Sequence, residues 1–508
     1  MSRPTEIELA ALPRATVRPD SLSRSSSTDK LSRVSTFALI PDLTSTPPPE
    51  LALLSTSAIG RDSPAAEEVG QRLRRLSMND REEEGRGLPP VDGGSGAWGF
   101  VVAGFILETF IWGFSYSYAS ILVYFESHAP WSSSSLAALS SVGTILLAVM
   151  FIVPLFVITV FRRYPERIRA MLWTSGLVNC LSMLVASWAT EVWQLVLLIA
   201  VVGGLSGAVL YAPVLLWLNG WWCDRRGLAS GIIFAGTGVG GTIFPFALSG
   251  LLDRYGFPTM CRAWACVMAG VYALALLYLK PRVPLVKPRG ERVPWLSIHD
   301  FRFVRDPVVL AMTATTFLSS MGYMPVSLYL PIYTSSLSTP GKANLLVAIF
   351  NLSSSFGSTL TGYTSDRSLA VTLAVMGTAG AVLSLTAWGL ASSLGAVFAF
   401  AVLFAMVSQV CSGWGAAARD AAGANPHLST MIFCLFGIVR GVASIVGPFI
   451  STGLYDEKLA GDERAAWGRF GFRNIIVFVG VMAGLSGLGG PAVYWARRRK
   501  LALKMAAA

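Results

Sequence analysis

Two charged side chains lie deep within stretches of the sequence that are otherwise apolar. "FGIVRGVASIVGP" (436–448) carries Arg440, and no acidic residue lies within ten positions on either side of it. "FILETFIWGF" (105–114) carries Glu108 in similar surroundings. An arginine keeps its charge and can hold an anionic group through two parallel hydrogen bonds, whereas a carboxyl group inside a membrane can relay protons. The two residues therefore predict a site that binds an anion and carries a proton.

The composition of the chain explains why these charges stand out. Of the 508 residues, 53% are hydrophobic and only 14% are charged, whereas soluble domains are about a quarter charged. The apolar residues come in blocks of about 20, the length of a helix that crosses a bilayer. A charge in such a block is costly unless it is paired or faces water, so Glu108 and Arg440 are functional candidates. The alternative is a structural ion pair between them, or hydrogen bonds from each to nearby backbone.

The apolar blocks predict an all-α membrane protein with twelve transmembrane helices. The predicted spans are 98–125, 135–161, 170–188, 191–217, 227–252, 257–280, 307–332, 343–362, 369–390, 394–414, 429–454 and 474–495. A Pro-rich basic connector (281–306) would join an N-terminal half (98–280) to a C-terminal half (307–495), each with six helices. The Ser-, Thr- and Pro-rich residues 1–97 predict a disordered cytoplasmic tail, and 496–508 predict a cytoplasmic C-terminal tail.

The distribution of basic residues gives the orientation of these spans. With both ends of the chain in the cytoplasm, the inside loops and the C-terminal tail hold 20 Lys or Arg residues and the outside loops hold 7. Cytoplasmic loops of membrane proteins carry such an excess. A twelve-helix channel, a lipid-modifying enzyme or a sensor would share this layout, so local motifs are needed to separate these classes.

One local motif, "GYTSDR" (362–367), comes where the eighth predicted span ends. Its glycine, Gly362, permits close helix approach, and Asp366 can cap the next helix or pair across a cytoplasmic gate. Arg367 follows it, and the first half has Arg225 and Arg226 in "CDRRG". These five residues are predicted to form a cytoplasmic gate. The alternative is that they act only as a topology signal.

Four longer stretches carry a resemblance to a known family. They are "DGGSGAWGFVVAGFILETFIWGFSYSYASILVYFE" (92–126), "NGWWCDRRGLASGIIFAGTGVGG" (219–241), "YMPVSLYLPIY" (323–333) and "RGVASIVGP" (440–448). Together they resemble the fungal members of the monocarboxylate-porter family within the major facilitator superfamily. The resemblance implies the major facilitator fold, in which two six-helix halves rock against each other around a site at mid-membrane.

The charged residues differ from those of the animal carriers of this family. Those carriers have a lysine in the first span, where alignment on "GFSYSYAS" (113–120) places Ser120. They also use an aspartate and an arginine in the eighth span, whereas "NLLVAIFNLSSSFGSTLTGY" (344–363) holds no charge. The resemblance therefore implies a transporter but leaves its solute open.

Several residues are predicted to line the cleft between the halves. Glu108 begins a helical face that continues with Trp112 and Tyr116. Further polar or aromatic candidates inside the spans are Tyr211, Tyr323, Asn351, Gln409 and Trp414. Each of these further candidates could instead pack or make a hydrogen bond between helices. In the predicted mechanism Glu108 carries the proton, and Arg440 holds the solute together with Trp112, Tyr116, Tyr323, Asn351 and Gln409.

Other classes of site are not expected. No G-x-x-x-x-G-K-[ST] motif occurs, so ATP is not expected to drive transport. The six cysteines and three histidines show no metal-ligand spacing, and no catalytic set appears, so neither a metal, a cofactor nor an enzymatic activity is predicted. The net charge of +11 is explained by cytoplasmic loops without a nucleic acid partner. In the tail, "RLRRLSM" (72–78) makes Ser77 a possible phosphorylation site for a basophilic kinase.

The sequence therefore predicts a secondary active transporter of a small organic anion that works by alternating access, with proton symport. Its partners would be the solute, membrane lipid and a proton gradient. One alternative is an efflux pump for a secondary metabolite, and another is a receptor that keeps the fold without transporting. A multi-pass location in the plasma membrane is expected, with the vacuolar membrane as the alternative. The oligomeric state stays open.

Overall fold

The computed structural model describes residues 88–283, 298–338, 340–422, 425–459 and 466–507, and the part of the chain so described is helical with no strand. The predicted phosphorylation site Ser77 lies outside the described residues. Nine helical stretches in these ranges are long and apolar enough to cross a membrane.

Two of the nine stretches are too long for one crossing. Arg226–Tyr278 has 53 residues and Lys342–Trp388 has 47, about 80 and 70 Å at 1.5 Å per residue, whereas the apolar core of a bilayer is about 30 Å thick. The first bends at Gly256, whose φ of 75° favours glycine, and the second bends at Ser368. Each is therefore two helices. With the uncharged helix Pro307–Leu337, the described residues form twelve membrane helices, which confirms the predicted fold class.

The twelve helices are numbered α1 to α12 in chain order. Their bounds are α1 Gly94–Tyr116 continued by Tyr118–Ser127, α2 Leu136–Arg163, α3 Ile168–Ala186, α4 Val192–Trp221, α5 226–255, α6 257–278, α7 Pro307–Leu337, α8 340–367, α9 369–388, α10 Leu394–Ala422, α11 Pro426–Leu454, and α12 Arg473–Gly487 continued by Gly489–Ala507. A short 3-10 helix, Ile298–Arg305, precedes α7.

The C-terminal end of the chain, which is predicted to be a cytoplasmic tail, is helical. Residues 496–507 continue the last helix. Arg497 forms an ion pair with Asp420 at the end of α10, and Lys500 Nζ lies 2.7 Å from Asp306 Oδ2 at the start of α7. Arg497 and Lys500 therefore have carboxylate partners on neighbouring helices, which favours an ordered helix there.

Two helix pairs make most of the contact between the first six helices and the last six. The helix α5 packs along α8, and α2 packs along α11. Inside the halves, α1 packs against α5 and α7 packs against α11. As a result α5 lies between α1 of its own half and α8 of the other half.

Several of the described membrane helices are interrupted along their length, among them α1, α4 and α10. The helix α1 breaks at Ser117, and α10 breaks at Ser408 and Gln409 before the 3-10 turn Val410–Gly413. The helix α4 contains a π-helical segment, Val196–Val202. Broken helices in transporters mark substrate and ion sites, and π-helical turns are frequent at functional sites. The breaks in α1 and α10 adjoin the predicted site residues Tyr116 and Gln409.

Candidate functional site

Arg440 occupies the middle of α11 and is half-buried. Its guanidinium carbon lies 6.0 Å from the ring centroid of Tyr323 on α7, which is within the range of a cation–π contact. Its guanidinium group also interacts with the hydroxyl of Tyr116 on α1. No carboxylate of the described residues lies within 4.0 Å of the guanidinium group. The structural ion pair with Glu108 is therefore not formed in this conformation.

Glu108 lies at a junction of three helices of the first half. Its side chain is 4% exposed, and its carboxylate accepts a hydrogen bond from Thr237 Oγ1 of α5. The hydroxyl of Tyr211 on α4 faces the same carboxylate. Arg440 lies within electrostatic range of it.

On the side of the second half, α10 also contributes a residue to the region around Arg440. Gln409 Nε2 donates to the carbonyl oxygen of Ala405 over 3.0 Å, and its amide also interacts with Tyr323. On the side of the first half, the indole of Trp112 packs against the rings of Phe151 and Tyr211. Six predicted site residues are thus brought together around one region between the halves: Glu108, Trp112, Tyr116, Tyr323, Gln409 and Arg440.

Two other predicted lining residues hold helices together. Asn351 Nδ2 of α8 donates to the carbonyl oxygen of Gly241 on α5 over 2.9 Å. Trp414 Nε1 of α10 donates to Thr316 Oγ1 of α7 over 3.1 Å. Both contacts fit the alternative interpretation, in which these side chains stabilise interhelical packing.

Replacing Asn351 with alanine is expected to lower stability and to leave solute recognition unchanged. The variant loses one hydrogen bond between α5 and α8, a net contribution of about 0.5–1.5 kcal/mol. We expect a lower melting temperature of the purified protein and an apparent affinity that stays within about a factor of two, since a larger change would need more than about 0.4 kcal/mol of binding energy. A large loss of affinity without a change in melting temperature would place Asn351 at the solute instead.

The predicted gate residue Asp366 connects the two halves. Its two carboxylate oxygens accept hydrogen bonds from the backbone N–H groups of Gly227 and Leu228, each over 2.8 Å. A carboxylate at the N-terminus of a helix is stabilised by the helix dipole. Arg419 of α10 adds an ion pair, with its Nη1 3.4 Å from Asp366 Oδ1. A carboxylate of the second half therefore caps a helix of the first half.

Glycines bring the backbones of α5 and α8 together beside this cap. A Cβ atom on Gly227 would lie 2.6 Å from the carbonyl oxygen of Gly362, so neither helix tolerates a side chain there. Next to them, Arg226 is only 3% exposed, and its Nη1 donates to Ser429 Oγ of α11 over 3.3 Å. Gly362, Asp366 and Arg226 thus all lie where the halves meet.

For two predicted gate residues, Arg225 and Arg367, no side-chain hydrogen bond or ion pair to the other half is formed within the described part of the chain. The side chain of Arg225 is exposed, and its backbone N–H donates to Asp92 Oδ1 over 3.0 Å. The guanidinium carbon of Arg367 lies 4.5 Å from the ring centroid of Tyr363 on the same helix. Arg419, which was not among the residues predicted for the gate, supplies the basic partner of Asp366. The one sequence feature that could have indicated Arg419 is its place as a basic residue just after the predicted span 394–414, at the cytoplasmic end.

The hydrogen bonds between the halves lie toward one end of the bundle. In the described part of the chain, those made by α5 run from Arg226 to Thr242, whose Oγ1 donates to the carbonyl oxygen of Ala348 over 3.2 Å. Thr242 is near the middle of α5. All of these hydrogen bonds to the C-terminal half therefore come from the first part of α5, which lies at the predicted cytoplasmic end. The bundle is therefore closed at the end that is predicted to be cytoplasmic.

Asp366→Asn is expected to favour opening of this gate. The change removes the negative charge at the N-terminus of α5, worth about 0.3–1 kcal/mol, and replaces one of the two acceptor oxygens with an NH2 group, so that one of the two backbone N–H groups loses its acceptor at a further cost of about 1 kcal/mol. A total of about 1–2 kcal/mol corresponds to about a 5–30-fold shift toward the open gate. We would measure the labelling rate of a cysteine introduced at Ser412, which is fully buried at the gate, by an impermeant maleimide added to the cytoplasmic side.

Arg367→Gln is the matched control for this measurement, because its side chain stays on its own helix. We expect the labelling rate of this variant to equal that of the parent. Equal rates in Asp366→Asn and the parent would contradict a gate held by Asp366.

Three comparisons with known proteins agree with this architecture. Residues 98–448 match the Major Facilitator Superfamily. The aspyridones efflux protein apdF of Emericella nidulans is 29% identical over 383 residues, which cover 73% of this chain and 74% of that protein. The fujikurins efflux protein of Gibberella fujikuroi is 29% identical over 287 residues, which cover 54% of this chain and 58% of that protein.

Solved structures show the same fold at low sequence identity. The human organic anion transporter MFSD10 (TETRAN) has a TM-score of 0.55 at 14% identity, and the match covers 78% of this chain and 99% of that one. The transporter FucP in the outward conformation has a TM-score of 0.56 at 12% identity, with 77% and 97% covered. The match over most of the twelve-helix bundle decides the family. The chain belongs to the Major Facilitator Superfamily and is a multi-pass membrane transporter, not an enzyme.

Proposed function

We propose that this transporter exports a small organic anion together with a proton. The observation that carries the proposal is Arg440, a guanidinium group without a carboxylate partner among the described residues, in the middle of α11. Tyr116 and Tyr323 approach it from the two halves. A planar guanidinium flanked by hydroxyl groups suits a carboxylate or another flat anionic group. The two similar fungal proteins named above are efflux proteins, which supports the outward direction.

The arrangement of Glu108 and Arg440 favours symport over exchange. An anion at Arg440 brings negative charge close to Glu108, and like charges at short range in a poorly solvated site repel strongly. The bound anion therefore favours the protonated carboxyl group of Glu108. Solute and proton bind together, cross together and leave together, so one cycle moves no net charge when the anion carries a single charge.

The direction of such a symporter follows the solute gradient. A compound that the cell makes is more concentrated inside, and it leaves down its own gradient even though the proton moves with it. The same protein would run inward if the compound were supplied from outside. The direction of transport therefore depends on where the solute is made. A monocarboxylate is a small organic anion, so this proposal is compatible with the resemblance of the sequence to the monocarboxylate porters.

A metabolite profile tests the proposal and can identify the solute. Compounds inside cells and in the medium would be compared in strains that lack or overproduce the protein. We expect an acidic compound that accumulates inside on deletion and outside on overproduction. A strain that carries Arg440→Leu at the parental protein level should match the deletion strain.

Other outcomes of this profile would redirect the proposal. A compound that stays in the medium on deletion would make the protein an importer. A neutral or cationic compound would contradict the role of Arg440 as the anion holder. No change under broad growth conditions would favour the receptor alternative.

We also propose the plasma membrane as the site of action, because an exporter to the medium must lie there. A fluorescent fusion would show this location directly. A vacuolar signal would indicate that the same transport step stores the solute inside the cell.

A further inference from the structure

We propose that Thr237 is a positioning residue that couples the protonation of Glu108 to the contact between the two halves. The inference rests on the proposed role of Glu108 as the proton carrier. Thr237 lies on α5 and donates its hydroxyl hydrogen to the carboxylate of Glu108 on α1. It is not part of the solute-binding cluster described above.

The packing of α1 against α5 fixes this contact. A Cβ atom at Gly236 would lie 2.6 Å from the carbonyl oxygen of Phe105 and 3.1 Å from Glu108 Cβ, so the α5 backbone lies directly against α1 at this level. Thr237 follows Gly236 and therefore has little room to move away from the carboxylate. A change in the hydrogen bonding of Glu108 has to be accommodated by the hydroxyl of Thr237 or by the backbone of α5.

The opposite side of α5 at the same level belongs to the contact between the halves. Ser358 Oγ of α8 donates to the carbonyl oxygen of Gly231 over 3.1 Å, and Ser355 Oγ donates to that of Ala235 over 2.9 Å. Both carbonyls are within two turns of Thr237. The backbone between Gly231 and Ala235 thus holds α8 with its carbonyl groups while the next turn holds Glu108.

The hydroxyl of Thr237 has an alternative acceptor on its own helix. A threonine hydroxyl has a single hydrogen to donate. Elsewhere in these helices it goes to the carbonyl four residues earlier, as in Thr109, Thr159, Thr315, Thr334 and Thr372. For Thr237 that carbonyl belongs to Ile233, midway between the two carbonyls that hold α8.

Protonation of Glu108 therefore offers Thr237 two hydrogen-bond states. The charged carboxylate accepts the hydroxyl hydrogen, which draws Thr237 toward α1. The protonated carboxyl group carries a hydrogen of its own, so Thr237 can instead donate back to Ile233. Bonds of this kind bend a helix slightly. The bend would fall between Gly231 and Ala235, where it changes the fit of α5 against α8.

Other titratable or charged groups also face Glu108, and none of them provides this link. Tyr116 is on the same helix, Tyr211 is on α4 and Arg440 is on α11. Cys411 of α10 faces Tyr116, Tyr211 and Arg440. These groups respond to the proton by electrostatics, but the hydrogen bond from α5 to Glu108 is made by Thr237.

The test needs no solute, because the proton alone is the ligand. Spin labels would be placed at the exposed positions Arg169 and Arg499, which lie on opposite halves near the predicted cytoplasmic end. Cys180, Cys223 and Cys266, which are exposed or half-buried, would be replaced by serine. The distance distribution of the full chain in lipid nanodiscs would be measured in acidic and in alkaline buffer.

We expect the parent protein to change its distribution with pH and Thr237→Val to lose most of that change. Thr237→Ser, which restores the hydroxyl, should recover it. Thr109→Val, which removes a neighbouring hydroxyl bonded only to its own helix, should respond like the parent. If Thr237→Val does not fold, Thr237→Ala replaces it in the same comparison.

The outcomes separate this inference from the proposed function. If Glu108→Gln loses the pH response while both Thr237→Val and Thr237→Ala keep it, the role of Thr237 is wrong and the proton carrier stands. If Glu108→Gln also keeps the response, or if the parent shows none, proton coupling through Glu108 and the role of Thr237 are both overturned.

Discussion

Arg440→Lys is expected to weaken the apparent affinity for an anionic solute by about 10–100-fold, which corresponds to about 1.5–3 kcal/mol for hydrogen bonds to a charged group. The substitution keeps the positive charge but loses the planar fork that binds a carboxylate through two parallel hydrogen bonds. It also moves the charge away from the ring of Tyr323, over which the guanidinium group now lies. The measurement is concentration-dependent transport of the solute that the metabolite profile identifies, in membrane vesicles with known amounts of protein.

A neutral ester of the same solute provides the matched control for this prediction. Because the ester cannot use the fork, its weak binding should be nearly equal in Arg440→Lys and the parent. An equal loss for the anion and the ester would indicate a general distortion of the cleft. Failure of the variant to reach the membrane would favour a structural role for Arg440 in α11.

The charged residues of the site could be predicted from the sequence because a charge in an apolar span is visible without any structure. Glu108 and Arg440 were found in this way, and helical periodicity then indicated Trp112 and Tyr116. Periodicity predicts which residues share a face of one helix. It does not predict which neighbouring helix that face meets, and this is why the contact of Glu108 with Thr237 was not expected.

The roles of two amide side chains, Asn351 and Gln409, could not be distinguished from the sequence. Asn351 and Gln409 both lie inside apolar spans, and nothing in their local sequence separates them. The structure separates them by their partners, since Asn351 donates to the carbonyl of Gly241 across the contact between the halves, whereas Gln409 lies at a break in α10 beside Tyr323. Their partners are distant in the sequence, so only the packed fold decides their roles.

The contacts of the gate residues also depend on partners that are distant in the sequence. The motif around Asp366 predicted a carboxylate that caps the next helix or pairs across the gate. In the structure it caps α5 of the other half, where it accepts from Gly227 and Leu228, more than 130 positions away in the sequence. The motif also predicted Arg367, which follows Asp366, as a gate residue. Adjacent residues on a helix point in different directions, so the basic partner of Asp366 comes from another helix, and Arg419 fills that place.

Glu108→Gln is expected to abolish the stimulation of transport by a proton gradient while downhill movement of the solute continues. Glutamine has nearly the shape of a protonated glutamate and can still accept the hydrogen bond from Thr237, so the packing of α1 against α5 should persist. It cannot release a proton, and the variant therefore stays in the state that permits an anion at Arg440. The ratio of transport with and without an imposed pH gradient should fall to about one, since the coupling free energy between proton and solute is then absent.

Glu166→Gln is the control for this last prediction, because that carboxylate is exposed on the loop between α2 and α3, and we expect it to keep the parental ratio.

Glu108→Asp keeps the acidic group on a shorter side chain. It can still take up a proton, so stimulation should survive at a reduced level. If Glu108→Gln is stimulated as strongly as the parent, the proton does not pass through this carboxyl group. The burial of Glu108 and its contact with Thr237 would then serve only to hold α1 against α5. If stimulation is lost in Glu108→Gln and survives in Glu108→Asp, the acid itself is required, because a purely structural hydrogen bond would be maintained at least as well by glutamine as by the shorter aspartate.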